Sequence, residues 1–171
     1  LTTIKQAIEK FKGTRGRLEK VDMGQKFPVV VDYAHTLESL RGVYEAFAGK
    51  KRICVFGSTG GGRDTWKRPQ MGALADTFCD TIILTDEDPY DENPQKIVDD
   101  IALGIKIHTP IIEMDRRKAI SCGLKQAGED SVVLITGKGT DPYIMHKNGS
   151  KQAWDDATVA REELKKLSSP S

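Results

Sequence analysis

Neither sign of charge is in excess: 26 basic and 25 acidic side chains leave a net charge of +1 over 171 residues. That balance removes the general electrostatic case for nucleic acid or an anionic membrane surface as partner. Long apolar runs are missing and no signal-peptide pattern opens the chain, so neither a membrane-spanning helix nor a secretory leader is expected. Cysteine is scarce. Cys54, Cys79 and Cys122 are odd in number and far apart, with neither CxxC nor zinc spacing, which predicts reduced thiols in a cytoplasmic protein and no metal centre. The length suits one domain with a substantial core. Residue 1 is leucine rather than methionine, so the chain is expected to be a piece of a longer polypeptide or to have been trimmed.

Two nucleotide-binding signatures are also absent. After Gly57 and Gly62 the Lys-Ser/Thr pair of a P-loop is replaced by Arg63-Asp64, and Gly60, Gly61 and Gly62 are packed too closely for the dinucleotide pattern G-x-G-x-x-G. What does stand there organises the chain. The apolar run Ile53 to Phe56 stops at glycine, a glycine-rich loop follows, and Arg63, Lys67 and Arg68 precede a proline-initiated helix pattern. A strand feeding such a loop and then a helix N-terminus presents backbone N–H groups and partial positive charge, a setting for a carboxylate or phosphate. Any tight strand-to-helix turn needs similar glycines, so this stretch becomes specific only together with others.

The remaining patterns alternate. Thr3-x-x-Gln6 reads as a capping box for a short helix with Ile4, Ala7, Ile8 and Phe11 on one face. Strands are expected at Arg17 to Val21, Phe27 to Tyr33, Ile53 to Phe56, Thr81 to Thr85, Ile111-Ile112 and Val132 to Thr136. Met23-Gly-Gln should turn between the first two. Helices are expected after Thr36, from about Pro69 to Phe78, after Asn93-Pro94, after Asp115, and through Ala157, Ala160, Leu164 and Leu167. Tyr143 to Trp154 reads as a hairpin around Asn148-Gly149. This alternation predicts an α/β fold: a Rossmann-like, mostly parallel, doubly wound sheet with helices on both faces.

In such a sheet a ligand crevice lies beyond the carboxyl ends of the strands. Four polar clusters fall there: Asp32-Tyr-Ala-His-Thr36, Gly57 to Arg68, Thr85-Asp-Glu-Asp-Pro-Tyr90 and Gly137-Lys-Gly-Thr-Asp141. Each alone could be an ordinary turn. Together they place cations (Arg63, Lys138) and anions (Glu87, Asp88, Asp141) around one cavity, which suits a zwitterion such as an amino acid. His108, His146 and the Lys165-Lys166 pair have no such placement and read as solvated surface.

These clusters carry a resemblance. Val31-Asp-Tyr-Ala-His-Thr36, Gly62-Arg-Asp-x-x-Lys-Arg-Pro-x-Met-Gly72, Thr85-Asp-x-x-Pro, Asp115-Arg-x-x-Ala-Ile120, Val132-Val-Leu-Ile-x-Gly-Lys-Gly139 and Trp154-Asp-Asp-x-x-Val-Ala-Arg161 follow in order and spacing the C-terminal domain of Mur ligases. The likeness runs from about Gly16 to Leu164 and is strongest to the MurE-type branch. The resemblance implies a reaction: ATP, with Mg²⁺, phosphorylates the D-glutamate carboxylate of UDP-N-acetylmuramoyl-L-alanyl-D-glutamate, and the amine of the third residue, L-lysine or meso-diaminopimelate, displaces phosphate. It further implies cytoplasmic peptidoglycan synthesis, with the metal ligands and the catalytic groups in a central domain that these residues lack.

The resemblance also assigns residues. It makes residues 1–16 the end of the preceding central domain and hinge, 17–167 the C-terminal domain, and 168–171 a disordered tail. Arg17 and Asp32 would approach the ATP ribose and phosphates, with Tyr33 and His35 bordering the nucleotide. Arg63 would clamp the amino acid's α-carboxylate, Gly137 and Asp141 would receive its amino groups, and Glu87, Asp88 and Tyr90 would read its side chain. The departures fall in that reading loop. Where diaminopimelate-adding members have Asp-Asn-Pro-Arg, this chain has Glu87-Asp-Pro-Tyr90, and Gly-Lys-Gly-His-Glu has become Gly137-Lys-Gly-Thr-Asp141. Loss of that arginine removes a charge-assisted hydrogen bond of about 1.5–3 kcal/mol, so a free distal ammonium, as in L-lysine, is favoured unless Lys67 or Arg68 replaces the cation. Two alternatives remain at this stage: a stand-alone amino-acid or nucleotide-binding module without catalysis, and the same domain of a murein-peptide ligase or a folylpolyglutamate-synthase-like enzyme.

Overall fold

The computed structural model describes residues 14–62 and 64–168. The predicted helix over Thr3 to Phe11, Arg63 and the last residues of the tail lie outside them. In chain order the elements are β1 (Glu19–Val21), β2 (Val29–Asp32), α1 (Leu37–Ala46), β3 (Lys51–Phe56), α2 (Lys67–Phe78), β4 (Thr81–Leu84), α3 (Pro94–Ala102), β5 (Ile111–Ile112), α4 (Arg116–Gln126), β6 (Ser131–Thr136), β7 (Tyr143–Met145), β8 (Lys151–Ala153) and α5 (Asp156–Ser168).

Six strands form one sheet in the order β1-β2-β6-β3-β4-β5, with only β1 antiparallel. Strand alternation divides the core in two. From β6, Val132 and Leu134 face a cluster with Leu40 and Tyr44 of α1, Met71 and Ala75 of α2, and Val98 and Ile101 of α3. Val133 and Ile135 face the other cluster, with Ala119 and Ile120 of α4 and Ala157 and Ala160 of α5. Central strands covered on both faces are apolar throughout, and all six residues of β6 are buried. The doubly wound α/β fold expected from the alternating patterns is the fold observed.

The helix starts follow their sequence signals. Thr36 caps α1 in a reciprocal box with Ser39, Asn93 caps α3 with Pro94 in its first turn, and Asp115 accepts from the N–H groups of Arg117 and Lys118 at the head of α4. The first strand is shorter than the predicted Arg17 to Val21, because Gly16 to Leu18 turns: Leu18 has φ of 44° and its N–H donates to Asp32 Oδ2 at 2.7 Å. The hairpin reading at Asn148-Gly149 holds, with φ of 59° and 71° at its tip between β7 and β8.

The expectation of three reduced thiols is overturned. Cys54 of β3 and Cys79, at the end of α2, are joined in a disulfide across 25 residues, leaving Cys122 free. Sequence distance was misleading because the β3–α2–β4 crossover returns the chain beside its start, with Asp80 N donating to Arg52 O at 2.9 Å. His108 is also less free than its sequence setting suggests: its Nδ1 and its backbone N–H both bond Asp76 Oδ1, at 2.9 Å each.

Candidate functional site

Parallel pairing brings the four polar clusters to one edge. Asp32 lies beside Thr136, Val55 beside Ile135, and Phe56 beside Leu84, so β2, β6, β3 and β4 release their chains at a common level. Beyond that level is a hollow of about 340 Å³. Tyr33 and His35 line it from the turn after β2, and Thr59, Gly60, Asp64 and Lys67 from the glycine-rich loop and the start of α2. Glu87, Asp88 and Tyr90 follow β4, and Gly137 and Asp141 follow β6.

The floor is Glu87 against Gly137. Gly137 has φ of +107°, and a Cβ on it would lie 2.1 Å from Glu87 Oε2, so only glycine lets the carboxylate rest on this backbone. Glu87 is 3 % exposed, and Thr59 Oγ1 donates to its Oε1 at 3.1 Å. Burial pushes the Glu87 carboxyl above its ordinary range, with the charge of Arg116 pulling the other way. Asp86 beside it is likewise raised, by burial first.

Asp88 and Lys138 are already committed to each other. Lys138 Nζ donates to both Asp88 oxygens at 3.0 and 2.8 Å and to Asp141 Oδ2 at 3.0 Å, and Met145 N donates to Asp88 Oδ1 at 2.8 Å. Burial would lower the affinity of Lys138 for its proton, but the bonds and charges of Asp88 and Asp141 outweigh it and hold the ammonium charged. The cation expected at Lys138 is therefore an internal strut, 1 % exposed, and Asp88, which lines the hollow, has both oxygens engaged by it. The strut continues into the hairpin, where Tyr90 N donates to Met145 O at 3.1 Å and Asn148 N to Asp91 Oδ1 at 2.9 Å. Tyr90 itself has φ of 51° and its ring lies over Gly61.

The other expected residues separate into groups. Tyr33 and His35 meet edge to face at 4.8 Å, and the Arg17 guanidinium sits 5.0 Å over the Tyr33 ring, outside the lining of the hollow. Asp32 is buried, its two oxygens taken by Leu18 N and Ala34 N at 2.7 Å each, so it shapes the loop rather than offering a free carboxylate. Arg63 lies outside the described residues. Arg68 turns inward, fully buried, and is held by Glu92 and Asp100, so the cation that lines the hollow from α2 is Lys67. The first carboxylate of the glycine loop to face the hollow, Asp64, and the hydroxyl of Thr59 were not singled out in the sequence, where nothing separates them from other loop polars. Among the described residues no cluster of histidine, cysteine, aspartate or glutamate could hold a metal ion, and no helix is long and apolar enough to cross a membrane.

This arrangement has known counterparts. The family model described as "Mur ligase, glutamate ligase domain" matches residues 16–139. The UDP-N-acetylmuramoyl-L-alanyl-D-glutamate--2,6-diaminopimelate ligase of Thermosynechococcus vestitus is 44% identical over 171 residues, covering 96% of this chain and 34% of that protein. The ligase of the same name from Gloeobacter violaceus is 42% identical over 97% of the chain and 35% of its own length. A solved structure of a ligase of that name superposes with a TM-score of 0.83 at 31% identity, over 96% of this chain and 34% of the other. A pseudomurein peptide ligase type C from Methanothermus fervidus shares the fold at a TM-score of 0.63 and 16% identity, over 98% of this chain and 32% of its own. The chain thus spans about a third of the length of the relatives it matches. With its doubly wound sheet, its glycine-floored hollow and a family match over most of its length, the chain belongs to the Mur ligase family.

Proposed function

We propose that this chain is the part of an ATP-dependent, amide-forming ligase that presents a diamino acid, L-lysine in the first place, to UDP-N-acetylmuramoyl-L-alanyl-D-glutamate during cytoplasmic peptidoglycan synthesis. The carrying observation is the floor of the hollow, where Glu87 rests on Gly137, Asp141 and Asp64 line the same hollow, and no arginine among the described residues lines the wall. A carboxylate floor receives ammonium groups, and a backbone bend without a side chain lets the guest come close to the main chain. In the reaction, the D-glutamate carboxylate takes the γ-phosphoryl group of ATP, and the amine attacks the acyl carbon, losing a proton as inorganic phosphate leaves. This chain contributes orientation and exclusion of water rather than a nucleophile. ATP would border Tyr33, His35 and Arg17, whose edge-to-face rings and positive charge fit a nucleotide, while the Mg²⁺ ligands would belong to a preceding domain.

A second reading, meso-diaminopimelate, is favoured by the names of the relatives and by Lys67 on the wall of the hollow. Titration of the chain with each amino acid, followed by amide NMR, separates the two. Tight L-lysine binding that survives Lys67→Ala supports the first. Preference for meso-diaminopimelate, lost on Lys67→Ala by tenfold or more as expected for one charge-assisted bond, supports the second. Failure of both amino acids to move the Glu87 and Gly137 amides would refute both readings.

A further inference from the structure

Behind the floor of the hollow lies a guanidinium with no part in the reading above. Arg116 opens α4 and is 3 % exposed. A cation at a helix N-terminus is opposed by the helix dipole, and burial adds a desolvation cost, so its position requires strong partners. Asp156, at the head of α5, supplies two: Nε to Oδ1 at 2.9 Å and Nη2 to Oδ2 at 2.8 Å. Trp154 Nε1 also donates to Asp156 Oδ1 at 2.8 Å, and Asp156 N donates to Gly139 O at 3.2 Å.

The remaining donors of Arg116 reach two main-chain carbonyls. Nη2 donates to Thr136 O at 2.9 Å and Nη1 to Asp86 O at 3.3 Å. Thr136 ends β6 and precedes Gly137, while Asp86 follows β4 and precedes Glu87. These strands are not neighbours, because β3 runs between them. Sheet hydrogen bonds therefore cannot fix the spacing of the two strand ends directly, and past Phe56 the intervening strand has already left the sheet. One planar, five-donor group does so from below.

We infer that Arg116 is a positioning residue of the hollow: by holding Asp86 O and Thr136 O across the end of β3, it sets how Glu87 meets Gly137 and so how an amino acid is seated. This rests on reading the hollow as the amino-acid site. Its charge has a second effect. The groups that act on Glu87 are Arg116 from α4 and Lys138 from the loop after β6, which favour the carboxylate, Thr59 from the glycine loop, which donates to it, and Asp88 on its own turn, which opposes it. Arg116 is the larger of the two cationic influences.

The test uses the 171-residue chain with ¹³C-labelled glutamate. Because Arg116→Met alone would strand Asp156, the pair is replaced together as Arg116→Met with Asp156→Leu, and Arg116→Lys is made beside it, folding being checked by near-ultraviolet circular dichroism. The double variant should raise the Glu87 Cδ titration midpoint, by less than the ~1 unit of a lone nearby charge because the opposite charge of Asp156 goes with it, and weaken L-lysine or meso-diaminopimelate binding about tenfold. Arg116→Lys should leave the midpoint near the parent value yet weaken binding, since an ammonium cannot span both carbonyls and Asp156. A merely structural residue, once lost, would loosen the floor and let water reach Glu87, lowering its midpoint, because burial is what raises it; a folded double variant whose midpoint does not rise and whose affinity is that of the parent overturns the inference. Should neither variant fold, the unaltered chain decides: its Arg116 side-chain ¹⁵N–H signals should shift as amino acid binds, and signals that stay fixed while the Glu87 and Gly137 amides respond would overturn it. Absence of any amino-acid binding would instead count against the reading of the hollow, and the ligand-free Glu87 titration would still judge the charge of Arg116.

Discussion

Replacing Gly137 by alanine separates the geometry of the hollow from the general strain of a left-handed backbone. A methyl group there meets two penalties. At φ of +107° a Cβ costs about 1–2 kcal/mol, and its collision with Glu87 Oε2 and Cδ, 2.1 and 2.8 Å away, adds an overpacking cost of about 1–3 kcal/mol. The expected loss is thus about 2–5 kcal/mol, within the stability of a domain this size. Gly49→Ala is the control: φ there is +88° and nothing lies within 4 Å of its Cβ, so only the first penalty applies. Urea unfolding of both variants reads the difference directly. Adding Glu87→Ala to Gly137→Ala should recover about 1 kcal/mol or more, a coupling expected only of groups in contact. Amino-acid binding should vanish in Gly137→Ala and persist in Gly49→Ala. Equal losses for the two glycines, or strict additivity with Glu87→Ala, would refute the close approach of carboxylate and backbone on which the site is built.

Glu87→Gln should show a pH signature. Because the folded carboxyl is raised above 4.5, stability falls as pH rises from the unfolded value through the folded one. The glutamine chain should therefore match the parent below about pH 4 and exceed it increasingly above, levelling off once Glu87 has ionised; a difference in urea midpoints that is flat with pH would contradict this. Arg68→Met removes a shared partner of Glu92 and Asp100, whose side chains are 19% and 20% exposed, so thermal unfolding should show a loss of about 1–3 kcal/mol with little change in amino-acid affinity. Alkylation of the folded, unreduced chain should label Cys122 alone and all three thiols after reduction in denaturant. Reduction should cost about 3.5 kcal/mol on the chain-entropy scale for a loop of this length, and three reactive thiols at the outset would rule the bond out.

The fold was legible because it depends on local periodicity. Thr36, Asn93-Pro94 and Asp115 each mark a helix start through chemistry contained within four residues, and β6 reads as a strand covered on both faces because it has no polar alternation between Ser131 and Thr136. The level of the hollow was legible too, since parallel strands can release their chains only at one edge. Tyr33, His35, Glu87, Asp88, Tyr90, Gly137 and Asp141 all line it.

The division of labour among charges was not legible in the same way. In sequence Lys138 and Arg68 look like free cations beside a glycine loop, and Asp88 and Asp32 like free carboxylates. In three dimensions Lys138 is shared between Asp88 and Asp141, Arg68 is drawn inward by Glu92 and Asp100, and Asp32 is consumed by two backbone N–H groups. Arg116 passed as part of a motif until Asp156, 40 residues away, disclosed its role. Patterning along the chain thus settled which elements form, in what order, and where their polar ends gather, because those follow from backbone hydrogen bonding and burial of one face. Which charges remain available to a guest was decided only by packing, because a buried charge must find its partner wherever the folded chain brings one.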